Sequence, residues 1–167
     1  LDKNIPYPPD AADSVYGTVD QNFIEAVRAA LGSGSESGCE TTTQTTTHTL
    51  GDTDRVLTSR LARLPYAADA GHQPPRVPDL VVLPDSTAQV ASVVKLCFKH
   101  KIPITTRGAG TGLEGGAVAY SGGVVCDTKN LTQMTYNSGE KTATVGAGVL
   151  KNQLDKVRIT NHHAPPA

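Results

Sequence analysis

Apolar residues recur along this chain with two different periods, separated by stretches that have none. In "DQNFIEAVRAALG", Phe23, Ile24, Val27, Ala30 and Leu31 fall on one face of a helix, with Asp20 as N-cap and Gly32 as stop. The pattern then collapses into "GSGSESGCETTTQTTTHTL", which has low complexity and little that could enter a core. Such a segment cannot offset an ordering entropy of about 1–2 kcal/mol per residue, so disorder is predicted from Gly32 to Thr49. With the Pro-rich approach "AADAGHQPPRVPDL", residues 32–77 are assigned to an insertion and linker. Residues 1–31 form an N-terminal extension with one helix.

Order is predicted to resume at "PDLVVLP", where the apolar run Leu80 to Leu83 between prolines suits a short buried strand. A helix follows in "DSTAQVASVVKLCFKHK". Ser86 and Gln89 form a capping-box pattern, and Val90, Val93, Val94 and Cys97 mark the inner face. That stripe makes Cys97 a core residue rather than a nucleophile. His100 and its flanking lysines suit the helix C-terminus, where positive charge is favoured. Strands are then expected at Ile102 to Thr106, around Val124 to Cys126, and in "TATVGAG" after the turn-forming "NSGE". Leu150, Leu154 and Val157 predict a short helix, and residues 158–167 an irregular tail. From Leu80 the order is strand, helix, strand, loop, strand, strand, helix.

The chain's 167 residues suffice for one domain of ordinary size. A net charge of −1, with 15 basic and 16 acidic residues in no block, argues against nucleic acid or an anionic membrane surface as partner. No apolar run reaches the roughly 18 residues of a membrane span. Cys39, Cys97 and Cys126 form no CxxC, and no Cys/His pair has zinc-ligand spacing, so free thiols and no metal site are expected. Cys39 with His48, and His162 with His163, are weighed as ligands and set aside. Asn130-Leu131-Thr132 is one glycosylation sequon, with nothing else pointing to secretion. Leu1 in place of Met, and the unpatterned end "RITNHHAPPA", predict a piece of a longer chain.

The chemistry concentrates in "RGAGTGLEGG", residues 107 to 116. Gly110-x-Gly112-x-x-Gly115 matches the dinucleotide fingerprint literally. That fingerprint must open a helix, whereas "AVAYSGGVV" runs into a strand. A Walker loop fails too, because Gly116 stands where its lysine belongs. A strand–loop–strand with successive bare amides remains, and consecutive N–H groups in turns form an anion-binding nest. Arg107 is either a counter-charge or an ordinary surface arginine. The competing reading of the loop is a tight turn with no ligand.

"PDLVVLPDSTAQVASVVKLC", "IPITTRGAGTGLEGG" and "GGVVCDTKNLTQM" together resemble the flavin-binding domain of the vanillyl-alcohol-oxidase-type flavoproteins, also called the PCMH type. Within it they resemble the FAD-linked 2-hydroxy-acid dehydrogenases, especially the D-lactate dehydrogenases that reduce cytochrome c. The resemblance runs from Pro78 to about Val157, and more weakly to "FIEAVRAALG". It implies an α+β domain of two lobes, of which residues 78–157 are the first and the domain is incomplete. It implies FAD, its pyrophosphate held by the stretch Arg107, Gly108, Ala109, Gly110, Thr111, Gly112, Leu113, Gly115 and Gly116. It further implies a small 2-hydroxy acid as substrate, an acceptor such as cytochrome c, and a mitochondrial setting. Glycolate and D-2-hydroxyglutarate dehydrogenases are rivals within the class, and an inactive nucleotide-binding fragment is the rival outside it. The family's second lobe, substrate domain and His-rich segment have no counterpart here. Glu114, Arg107 and His72 lack the pattern of a general base, so the catalytic residues are unassigned.

Overall fold

The computed structural model describes residues 16–32, 55–137 and 139–162. The expected disorder between residues 33 and 49, with Cys39 and His48, lies outside the described residues, as does His163. The first helix, α1 (Gln21–Leu31), starts as its sequence predicts, with the Asp20 carboxylate accepting from the Phe23 amide at 2.8 Å. Phe23, Val27 and Leu31 are its buried stripe.

Within the segment assigned to insertion and linker, the structure has regular elements between residues 56 and 66. Strand β1 (Val56–Leu57), helix α2 (Arg60–Arg63) and a 3₁₀ turn (Leu64–Tyr66) lie there. Elements of two to four residues are too short to show a hydrophobic period. They are fixed by tertiary contacts: β1 pairs antiparallel with β2 (Leu80–Val82), and Val56 is fully buried.

Helix α3 (Thr87–His100) is capped by Ser86, whose hydroxyl accepts from the Gln89 amide, while the Gln89 side chain accepts from the Asp85 amide at 2.7 Å. Val93 and Cys97 are buried and Val90 packs against the core, but Val94 is exposed, as is Phe98 one turn on. The inner stripe is thus narrower than the sequence suggests, centred on Val93 and Cys97.

Strands β3 (Ile104–Arg107) and β4 (Val124–Asp127) complete a sheet of order β1-β2-β4-β3, with β2 and β3 both parallel to β4. Every residue of β2 and β4 is buried, because both faces of the sheet are covered. Leu80, Val82, Val124 and Cys126 meet Phe23, Val27, Val93 and Cys97 of the two helices. Val81, Leu83 and Val125 meet Tyr66 and Ala119 on the opposite face. The continuous apolar runs follow from this two-sided burial.

Strand β5 (Met134–Asn137) pairs antiparallel with β6 (Thr142–Val145) in a separate two-stranded sheet. The sequence reading has β6 but not β5, whose residues alternate half-buried and exposed and carry no apolar run. Helix α4 (Lys151–His162) extends five residues past the expected end at Val157. No glycine or proline interrupts the chain between Lys151 and His162, so the tail reading fails for residues 158–162. Among the described residues no helix is long and apolar enough to cross a membrane.

Candidate functional site

The glycine loop leaves β3 at its carboxyl end and crosses the Val125 face of the sheet to enter β4 at its start. Residues 108–116 therefore lie at the carboxyl end of a parallel strand, where open sheets with helices bind ligands. Val118 and Ala119 are buried along the return path. No amide from Ala109 to Gly116 donates a hydrogen bond to another described residue. Backbone N–H groups in a folded chain are seldom without a protein or solvent partner, so this run of donors in a mostly exposed stretch is available to an anion.

The glycines divide into two kinds. Gly110 and Gly115 have φ of 70° and 74°, where an L side chain is strained. A Cβ on Gly110 would also run into the Arg107 guanidinium, and one on Gly115 would lie 2.7 Å from the Tyr120 hydroxyl oxygen. Gly108, Gly112 and Gly116 have no such reason. A Cβ on Gly112 would be 3.7 Å from Asp69 Oδ2, one on Gly108 4.0 Å from Thr128 Oγ1, and one on Gly116 would meet nothing within 4 Å. The protein itself does not require these three to be bare.

Arg107 points back into the fold. Its Nη1 donates to the Ala68 carbonyl at 2.9 Å and the Ala117 carbonyl at 3.4 Å, and its Nη2 to the Pro65 carbonyl at 3.4 Å. The guanidinium sits over the Tyr66 ring, 5.5 Å from its centroid, within the range of a cation–π contact. The Tyr66 hydroxyl donates to Asp127 Oδ2 at 2.8 Å, and Asp127 Oδ1 accepts from the Lys129 amide at 2.9 Å. Asp127 is only 4 % exposed, so these donors are what make its burial tolerable. Burial, reinforced by the hydrogen bond to Asp127 and the charge of that carboxylate, pushes the Tyr66 phenol well above its ordinary range, while Arg107 opposes the shift. In this geometry Arg107 ties the loop to residues 65–68 and to its own far end.

Residues 65–73 are the part of the site that sequence reasoning misses, since they fall within the assigned linker. The Ala70 amide donates to the Gly110 carbonyl at 3.0 Å, and a Cβ on Gly71 would collide with the Leu113 carbonyl. Asp69 Oδ1 accepts from the Gly71 amide at 2.9 Å in an Asx turn. Its Oδ2 is buried and has no hydrogen-bond partner. The Asp-x-Gly pattern of that turn is the only sequence signal for this brace.

Thr111, Leu113, Glu114 and His72 are exposed. The Cys97 and Cys126 thiols are buried and both pushed up to about 11, Cys97 by burial and then the neighbouring Cys126, Cys126 by burial and then Asp127. They are core groups with no nucleophilic character. The Asn130 amide donates to Asp85 Oδ1 at 3.1 Å, so the sequon's side chain is engaged inside the fold.

Fold and loop define a small parallel-sheet lobe with a glycine-rich strand–loop–strand at its edge. The sequence profile described as an FAD binding domain matches residues 78–166, more than half of the chain. The chain belongs to this family of FAD-binding domains, and its cofactor is FAD. It is 38% identical over 101 residues to the glycolate oxidase subunit GlcD of Bacillus subtilis, covering 60% of this chain and 21% of that one. It is 38% identical over 76 residues to a D-lactate dehydrogenase of Archaeoglobus fulgidus, covering 46% and 17%. The crystal structure of p-cresol methylhydroxylase with substrate bound superimposes with a TM-score of 0.64 at 25% identity, covering 84% of this chain and 24% of that one. The chain thus spans about a fifth of the length of these relatives.

Proposed function

We propose that residues 107–116 hold the FAD pyrophosphate through backbone amides, in the N-terminal part of an FAD-dependent dehydrogenase of D-lactate or a related D-2-hydroxy acid. The observation that carries this reading is the run of uncommitted amides beside three glycines that the protein has no need of. A bulky diphosphate approaching the backbone supplies the missing reason for Gly108, Gly112 and Gly116. Gly110 and Gly115 set the turn, and Arg107 acts as a positioning residue that fastens it. The bound flavin supplies the hydride acceptor, with protein groups contributing binding and orientation. The resemblance to D-lactate dehydrogenases favours D-lactate, with glycolate and D-2-hydroxyglutarate as rivals. Electron delivery to cytochrome c in a mitochondrial setting belongs to the same proposal.

The second reading, a flavin-binding fragment without turnover, is favoured by one observation. Glu114 and His72, both weighed as a general base in the sequence reading, are exposed. This chain alone is therefore expected to reduce no flavin with D-lactate.

The deciding experiment is flavin content per mole of the purified intact protein, with circular dichroism to confirm folding. Gly112→Val should abolish FAD retention and leave the protein folded. A full complement of FAD in that variant would mean that the loop is only a tight turn.

A further inference from the structure

Asp69 Oδ2 lies 3.7 Å from where a Cβ on Gly112 would stand, and among the described residues no other heavy atom outside the loop bounds that position as closely. The oxygen is buried and lacks a hydrogen-bond partner, although Oδ1 of the same carboxylate is held by the Gly71 amide. A buried acceptor without a donor is costly, and native structures rarely keep one without a use. The Asx turn fixes the carboxylate, and the bond from the Ala70 amide to the Gly110 carbonyl fixes the turn against the loop. The oxygen is thus held in place directly against the loop at Gly112.

A phosphate offers this oxygen only acceptors. The hydroxyls that flank the diphosphate in FAD, on the ribityl chain and on the ribose, are donors. We infer that Asp69 Oδ2 accepts a hydrogen bond from one of these sugar hydroxyls, making Asp69 a cofactor-binding residue that distinguishes a sugar-linked diphosphate from a bare phosphate. The inference rests on the FAD reading of the loop and adds a residue from outside it.

Asp69→Asn keeps an oxygen for the Gly71 amide and replaces the second oxygen with an NH₂ group, which cannot accept. Binding of FAD to the intact apoprotein is measured by flavin fluorescence. Two analogues accompany it, one lacking the ribityl hydroxyls and one built on 2′,3′-dideoxyribose. Asp69→Asn should bind FAD about tenfold or more weakly, the usual scale for a hydrogen bond to a charged group. The analogue lacking the relevant hydroxyl should bind wild type and variant alike, and which analogue does so identifies the sugar. An unchanged FAD affinity would overturn the assignment. An equal loss for all three ligands would also overturn it, because Asp69 would then only shape the loop. So would a magnesium requirement that vanishes in the variant, since the oxygen would then hold a cation. Wild-type protein that binds none of the three would instead overturn the FAD reading itself.

Discussion

On the side of the glycine loop turned toward the protein, Gly110 and Gly115 are demanded by a positive φ and by the crowding of Arg107 and Tyr120. At Gly108, Gly112 and Gly116 an added Cβ would meet nothing closer than 3.7 Å. The first group is explained by the fold and the second is not. On the proposed function, the difference separates stability from binding within ten consecutive residues. It predicts that substitutions on the two sides fail in different assays.

The largest expected effect on stability is at Gly110. Gly110→Val should lower the unfolding free energy of the flavin-free protein by about 2 kcal/mol, from left-handed strain and displacement of Arg107. Gly112→Val should change it by only about 0.5 kcal/mol or less. Urea unfolding of both variants without FAD checks this, and equal losses would break the distinction between the two sides.

Arg107→Ala tests what fastens the inner side. Its loss should cost about 1.5 kcal/mol, since it removes charge-assisted bonds to three carbonyls from a partly exposed site. FAD retention should fall less than in Gly112→Val, because the backbone amides remain. Complete flavin loss in Arg107→Ala, with stability unchanged, would make the arginine a direct phosphate ligand.

A smaller effect is expected one step further from the loop. Tyr66→Phe should cost about 1 kcal/mol by depriving buried Asp127 of a donor. The Tyr66 phenol holds its proton more tightly in the folded protein than in the unfolded chain. Its contribution is therefore fully present below the ordinary tyrosine pKa of about 10 and is lost as pH rises beyond it. The stability difference between wild type and Tyr66→Phe should stay flat from neutral pH to about 9 and shrink above 10. A difference that shrinks below pH 9 would place the ionisation elsewhere.

Where hydrophobic period and capping chemistry act within one element, the fold was legible from sequence. Helices α1 and α3 begin at the expected caps, and the buried runs of β2 and β4 mark the centre of the sheet. The loop's glycines were legible as a cluster but not as two kinds, because φ and clearance depend on what packs behind each residue. The brace at residues 65–73 was not legible. Its role comes from main-chain contacts, made by Ala70 and Gly71 and received by Pro65 and Ala68, which leave no trace in side-chain pattern. Arg107 shows the same limit: its partners are carbonyls far away in sequence.

The strand order carries a consequence for synthesis on the ribosome. Strand β2 bonds to β1 and β4, and β3 bonds only to β4, so the two earlier parallel strands never touch through their backbones. In a nascent chain that has emerged only as far as Gly123, β3 therefore has no strand partner in this sheet and the glycine loop is tethered at one end. The four residues Val124 to Asp127 then close the slot between β2 and β3, joining partners that are distant in sequence, a kind of pairing that forms slowly. The glycine loop thus gains its second anchor in a single late event, when its own return strand arrives.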